Sequence, residues 1–355
     1  MQFIHESRPV RVVFGAGRIA HLAEEATRLG LQRILAISTP RKRFLAERVV
    51  EALGDRAAGV YAHAAMHVPL ATAEAARAEA ARLGCDGYVA IGGGSTIGLA
   101  KAIALESGLP IIAIPTTYSG SEMTAIWGLT IEGEKRTGRD ERVRPRVVIY
   151  DPELTLSLPP AIAGPSGINA LAHCVEALYA VDASPVIQLM AEEGIRALSR
   201  SLPVVAREPE NLEGRTLALY GAWLAGAALG AATLGLHHKL CHMLGGSFNL
   251  PHAEVHTIIL PHAAAYNAPA APDALARVAR AMGSTDAPGA LFDLAAALGA
   301  PTALRDIGMR FEDLDRAADL VLRSPYPNPA PLTRDGIRQL LDDAYHGRRP
   351  KGTGV

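Results

Sequence analysis

Residues 88–101 read YVAIGGGSTIGLAK, and this stretch decides the fold. An apolar, β-rich run ends in three consecutive glycines, Gly92 to Gly94, and a helical pattern continues through Ala104. Glycines at a strand end remove every Cβ, so backbone N–H groups can approach an anion closely. The helix that follows presents its positive end to the same anion. Ser95 is placed to cap that helix and to donate to a phosphate oxygen. The arrangement suits a pyrophosphate, with Gly93, Gly94 and Ser95 as its contacts. It matches neither G-x-G-x-x-G nor the P-loop, in which Lys-Ser/Thr follows the last glycine. A bare strand-to-helix turn needs one glycine; three favour a ligand.

Outward from this turn, short β-rich runs alternate with helical ones. The strand candidates are Arg11–Phe14, Arg33–Ser38, Tyr88–Ile91, Ile111–Ile114 and Val147–Tyr150. Between them, 16–29, 41–53 and 71–83 carry apolar residues at helical spacing. Such alternation predicts a parallel sheet wrapped by helices, and near-continuous apolar runs such as ILAIS and PIIAIP fit strands covered on both faces. Prolines and glycines crowd 158–168, which places a domain boundary there. The reading is an α/β dinucleotide-binding domain over 1–158 and an all-helical domain over 159–355. Helical runs are expected at 169–181, 186–199, 212–244, 273–282, 289–298 and 333–345, the last capped by Thr333.

A second turn, IIAIPTTYSGSEMT (Ile111–Thr124), follows the next strand. Thr116, Thr117, Ser119, Ser121 and Thr124 offer hydroxyls there, and ligands of open parallel sheets sit beyond the carboxyl ends of strands. Composition narrows the rest. Lys+Arg 35 against Asp+Glu 36 gives a net charge of -1, with no basic excess for nucleic acid or anionic lipid. Three cysteines in 355 residues are too few for a disulfide framework and suggest reduced thiols in a cytoplasmic setting. The N-terminus lacks the layout of a signal peptide. Leu217–Leu236 is free of charge, but its Ala/Gly content reads as a buried helix rather than a membrane span.

Seven of the twelve histidines fall between His173 and His262. Asn169 and His173 are four apart, as are His238 and His242, so each pair shares a helix face. His252 follows ten residues after His242, with His256 four further on. Such a cluster suits a metal, proton transfer near neutral pH, or an anionic substrate. Cys174 and Cys241 adjoin His173 and His242 and are candidate targets for thiol reagents.

Taken together these motifs resemble the iron-containing alcohol dehydrogenase family. GGGSTIGLAK is similar to its GGGSxxDxAK turn, IPTTYSGSEMT to its PTTxGTGSE turn, DPELTLSLPP to its linker, and HHKLCHMLGGSFNLPH to its HxxxHxxGxxxxxPH helix. The resemblance runs in order over nearly the whole chain. It implies a nucleotide-binding domain, a helical domain, a cleft between them and a homodimer. The family's metal set of Asp and three His falls on Asn169, His173, His238 and His252. Asparagine offers a neutral carbonyl oxygen where a cation prefers a carboxylate, so no metal is expected. Gly98 is a second departure, where relatives often carry Asp.

LHHKLCH, NALAHCVEALYA, TGRDERVRPRVVIYDP and SPYPNPAPLTRDGIRQLL resemble the family's metal-free maleylacetate reductase branch. That implies reduction of maleylacetate, or a substituted maleylacetate, with NADH or NADPH. In this reading His242, His238 and His173 are catalytic, and Asn169, Lys239, His252 and Tyr326 bind the substrate. Ser38, Thr116, Thr117, Ser119, Thr124 and Lys135 join the glycine turn around the cofactor. The second strand ends in Ser38 without an acidic residue, and Arg41 and Lys42 follow, so use of both NADH and NADPH is expected. The rival within enzymes is a metal-dependent alcohol or polyol dehydrogenase.

Overall fold

The computed structural model describes residues 3–6, 10–132, 134–323 and 325–351. The chain divides into two compact units after Leu158; residues 3–6 belong with the helical unit, where His5 Nδ1 lies 2.9 Å from Ser184 Oγ.

The first unit is built on strands β1 (Arg11–Phe14), β2 (Ile34–Ile37), β3 (Ala57–Tyr61), β4 (Gly87–Gly92), β5 (Ile111–Pro115), β6 (Ile126–Ile131), β7 (Glu134–Arg139) and β8 (Val147–Tyr150). Its helices are α1 (Leu22–Arg28), α2 (Arg43–Leu53), α3 (Leu70–Arg82) and α4 (Gly94–Ser107). Six strands form a parallel sheet in the order β1-β8-β5-β4-β2-β3. The central strands β2, β4, β5 and β8 are buried along their whole length, which explains their unbroken apolar sequences. The chain lays β2 and β3 toward one edge, then returns to place β4, β5 and β8 toward the other. The switch point, where α/β sheets bind ligands, therefore lies between β2 and β4.

Two elements of this unit escape sequence reading. The edge strand β3, AAGVY, is half-buried and made mostly of small residues. The antiparallel pair β6–β7 carries the polar run EKRTGR on an exposed strand, without apolar alternation. The helix expected from residue 16 begins later, at Leu22, after a 3-10 turn. Gly17 there takes φ 69°, and the Asp151 carboxylate accepts from the N–H groups of Gly17 (3.1 Å) and Ile19 (3.0 Å).

The second unit is all-helical: α5 (Pro160–Tyr179), α6 (Pro185–Arg207), α7 (Leu212–Ala231), α8 (Leu236–Phe248), α9 (His252–Asn267), α10 (Pro272–Ala281), α11 (Ala287–Ala297), α12 (Leu314–Val321) and α13 (Arg334–His346). The Pro/Gly-rich passage read as the domain boundary begins where the two units divide, and most of it forms the entry of α5. Pro160 sits in its first turn, where a missing N–H has no helical partner to lose. The single run expected over 212–244 is two helices bent by 94°. No single helix among the described residues is long and apolar enough to cross a membrane. Thr333 caps α13, its hydroxyl accepting from Gly336 N–H at 3.2 Å. Helices α8, α9, α12 and α13 share one core, which includes Leu240, Leu244, Ile259, Leu314 and Leu341.

Candidate active site

In the α/β unit the three strand ends nearest the switch point carry Ser38, Gly92 and Pro115. The turns after β4 and β5 lie against each other. Thr116 N–H donates to Gly92 O at 3.0 Å. A Cβ on Gly93 would lie 2.9 Å from Thr117 Cγ2, and one on Gly92 (φ 153°) would collide with the Thr96 side chain. Two of the three glycines are thus required by packing as well as by any ligand. Gly94 is different: its nearest neighbour would be Ser119 Cβ at 3.7 Å, which leaves an open cradle.

The α4 N-terminus carries no side-chain cap, so its N–H groups remain available to an anion. This corrects the expectation for Ser95, which lies inside the first turn of α4 while Gly93 is the N-cap. Thr124 is also corrected. It is buried, and its hydroxyl accepts from Lys101 Nζ at 2.9 Å and donates to Ser121 O at 3.1 Å. That commits Thr124 to the framework rather than to a cofactor.

Lys101, the last residue of the glycine motif, went unassigned from sequence. Its Nζ also donates to Ser121 O (2.6 Å) and Ile126 O (2.9 Å), tying the hydroxyl-rich turn to α4. Complete burial lowers its pKa to about 7. Ser38 is buried at the end of β2, with Oγ 3.3 Å from Thr39 O. Thr116 is buried, Thr117 and Ser119 are half-buried, and Lys135 is exposed on β7. This turn system fits a dinucleotide: it combines an uncapped helix end, a cradle at Gly94 and adjacent hydroxyls.

In the helical unit, α5 carries Asn169, His173 and Glu176 at helical spacing; α8 carries His237, His238, Lys239 and His242; α9 carries His252 and His256. The rings of His173 and His238 stack at 5.0 Å. His238 and His256 lie at 5.0 Å, His252 and His256 at 4.4 Å, and His242 and His252 at 5.9 Å. The histidines singled out from sequence therefore converge.

Glu176, which sequence reading missed, organises them. Its carboxylate accepts from the N–H groups of Gly235 (3.2 Å), His237 (3.0 Å) and His238 (3.3 Å), and Oε2 lies 2.5 Å from His238 Nδ1. One side chain thus caps α8 and orients His238. The visible signal was its position three residues after His173, on the same helix face.

Burial pushes the imidazoles of His173, His237, His238 and His256 well below the ordinary histidine range, and neighbouring imidazoles add to the effect. Burial also raises the Glu176 pKa. Asn169 Oδ1, His173 Nδ1, His238 Nε2 and Tyr326 Oη are buried without a hydrogen-bond partner. Such atoms call for a ligand. Lys239 Nζ lies 5.6 Å from the centre of the Tyr326 ring, a cation–π pair. Cys174 and Cys241 are fully buried with thiols pushed up by desolvation, so neither is a reactive thiolate, which corrects that expectation.

The donors do not fit the metal the family uses. Among the described residues, two groups of three side chains bring ligand atoms within 4.8 Å of one another: His237, Cys241 and His256, and His242, His252 and His256. His173, His238 and His252 do not form such a group, and Asn169 brings no negative charge to them.

Fold and site together define a two-unit nucleotide-dependent oxidoreductase, and the chain belongs to the iron-containing alcohol dehydrogenase family. The model "Iron-containing alcohol dehydrogenase" matches residues 9–152, and "Fe-containing alcohol dehydrogenase family, C-terminal" matches residues 164–345. Within the family, the chain is 59% identical over 348 residues to the maleylacetate reductase of Burkholderia cepacia, covering 98% of this chain and 99% of that one. The crystal structure of maleylacetate reductase from Agrobacterium tumefaciens superimposes with a TM-score of 0.96 at 50% identity, covering 99% of this chain and 100% of that one. Sulfoacetaldehyde reductase from Bifidobacterium kashiwanohense, solved in complex with NAD+, matches with a TM-score of 0.90 at 26% identity, covering 97% of this chain and 99% of that one.

Proposed function

We propose that this chain reduces the carbon–carbon double bond of maleylacetate to give 3-oxoadipate, using NADH or NADPH, without a metal, in the breakdown of aromatic compounds. The carrying observation is the identity of 59% with a maleylacetate reductase across 98% of the chain. The chemistry of the imidazole cluster supports the same reading.

The residues that would hold the dinucleotide are Gly93, Gly94, Ser95 through its backbone, Thr116, Thr117 and Ser119, with Ser38 and Lys135 beside them. When bound, the nicotinamide supplies a hydride. The substrate's alkene is conjugated with a ketone, so hydride at the carbon β to the ketone moves an electron pair onto the ketone oxygen. The product is an enolate, more stable than a simple alkoxide. An N–H of His173 donates to that oxygen, a task for which a Lewis acid is not required, and His238, its Nδ1–H given to Glu176, stacks against His173 and fixes its ring. His242 delivers the proton that completes the α carbon. Asn169, Lys239, His252 and Tyr326 hold the carboxylates of the dianion. We take the working form to be a cytoplasmic homodimer; Val181 and Leu189, apolar and exposed on the helical unit, suit an interface.

The test is NADH oxidation with maleylacetate by enzyme stripped with a strong chelator. Stoichiometric NADH loss at an unchanged rate is expected. Activity lost on stripping and restored by iron or zinc would instead return the chain to the metal-dependent dehydrogenases, a reading that the Glu176–His238 pairing also suits. NADH and NADPH should support comparable kcat/KM; a thousandfold preference would refute dual use.

A further inference from the structure

Of the two groups that gather ligand atoms within 4.8 Å, one is sealed. His237, Cys241 and His256 are all buried, the Cys241 thiol is held protonated, and His237 Nε2 already meets His256 Nδ1 at 2.9 Å. The other group, His242, His252 and His256, is open on one side: His242 and His252 are exposed, while His256 lies beneath them with 1% of its surface accessible.

We propose that His242, His252 and His256 form a binding site for a divalent cation of the zinc class, which shares only His252 with the family's metal set, and that its occupation stops catalysis. Several observations converge on it. His252 and His256 are four residues apart in the first turns of α9, so they share a face, and His242 reaches them from α8. The rings of His242 and His252 are nearly parallel, 12° apart, and both stand edge-on to His256 at 69°. His256 Nδ1 is engaged by His237, and its Nε2 is buried without a partner. A cation selects the tautomer in which His256 donates from Nδ1 to His237, which turns the Nε2 lone pair toward the site. A second imidazole then fixes the ligand's orientation, as outer partners commonly do at metal sites.

Three imidazole ligands with an open side select zinc, cobalt or nickel over magnesium or calcium, and leave coordination positions for water. The consequence for catalysis rests on the proposed role of His242, whose lone pair a bound cation occupies. The binding itself does not depend on that role.

Cobalt(II) titration of chelator-stripped enzyme tests the site, because four- and five-coordinate cobalt absorb visible light far more strongly than the aqueous ion. We expect one ion per chain with such a spectrum, displaced by zinc. His242→Ala and His256→Gln should each weaken binding by about tenfold or more, whereas Asn169→Ala should change it by less than about twofold. Zinc should inhibit NADH oxidation reversibly, with EDTA restoring the rate. His256 is buried, so retained cofactor binding is the folding check for that variant; His242 is exposed and carries the test if His256→Gln misfolds. Absence of binding, a purely octahedral spectrum, or loss on Asn169→Ala with none on His242→Ala would overturn the proposal. Cobalt bound as expected by an enzyme inert toward maleylacetate would leave the site standing and refute the function instead.

Discussion

The two candidate sites recognise charge by opposite means. The turns after β4 and β5 present backbone N–H groups and small hydroxyls, and Gly93 is required where the two turns pass within contact distance. The cluster on α5, α8 and α9 relies on side chains: six imidazoles lie within about 6 Å of a neighbouring imidazole, and one buried carboxylate holds two of the helices together. A backbone site resists substitution in its chemistry but not in its shape. A side-chain site has the reverse weakness.

That contrast is sharpest at His242. Its replacement by alanine should lower kcat by about 10²–10⁴-fold with a smaller change in KM for NADH, as loss of a proton donor does. A drop of less than tenfold in single-turnover measurements would remove it from that role. Glu176→Ala comes next. It strips three buried N–H groups and His238 of their acceptor, and should destabilise the fold by about 3–5 kcal/mol in urea unfolding. Unchanged stability would mean that water replaces the carboxylate.

The third prediction concerns pH. Burial lowers the His262 pKa to about 4, and the other buried imidazoles shift the same way. The unfolded chain therefore binds more protons below pH ~6.5, so stability falls as pH drops from there toward about 4. His262→Leu should flatten this acid limb, making the stability difference between pH 7 and 5 smaller by about 2 kcal/mol than in the parent. An identical pH slope in both proteins would contradict the assignment.

The smallest effect belongs to the backbone site. Gly93→Ala places a Cβ against Thr117 and should raise KM for NADH about tenfold while sparing kcat. Gly94→Ala meets nothing closer than 3.7 Å in the protein, so any rise in KM there reports the ligand itself. Equal, negligible effects at both positions would break the contrast.

Much of this was legible beforehand because it is local. Strand alternation, the GGGS turn and the helical spacing of Asn169 with His173 and His238 with His242 are properties of neighbouring residues. What was missed depended on long-range contacts. Thr124 and Thr116 sit in one hydroxyl-rich turn, yet only Thr124 meets a buried ammonium brought from α4. Ser95 misses the cap position by two residues, because Gly93 is the N-cap and α4 begins at Gly94. Cys241 adjoins His242 in sequence, but one is fully buried and the other exposed, since adjacent helix positions diverge by ~100°.

By itself, then, the sequence determined the fold class, the glycine-rich turn at a strand end and which helices carry imidazoles, because periodicity and glycine chemistry act over a few residues. Only the tertiary structure decided that Glu176 holds His238 across 62 positions of chain, and that His256 rather than His173 gathers with His242 and His252. Burial and hydrogen-bond partners depend on which helices pack together, and three-dimensional packing alone settles that.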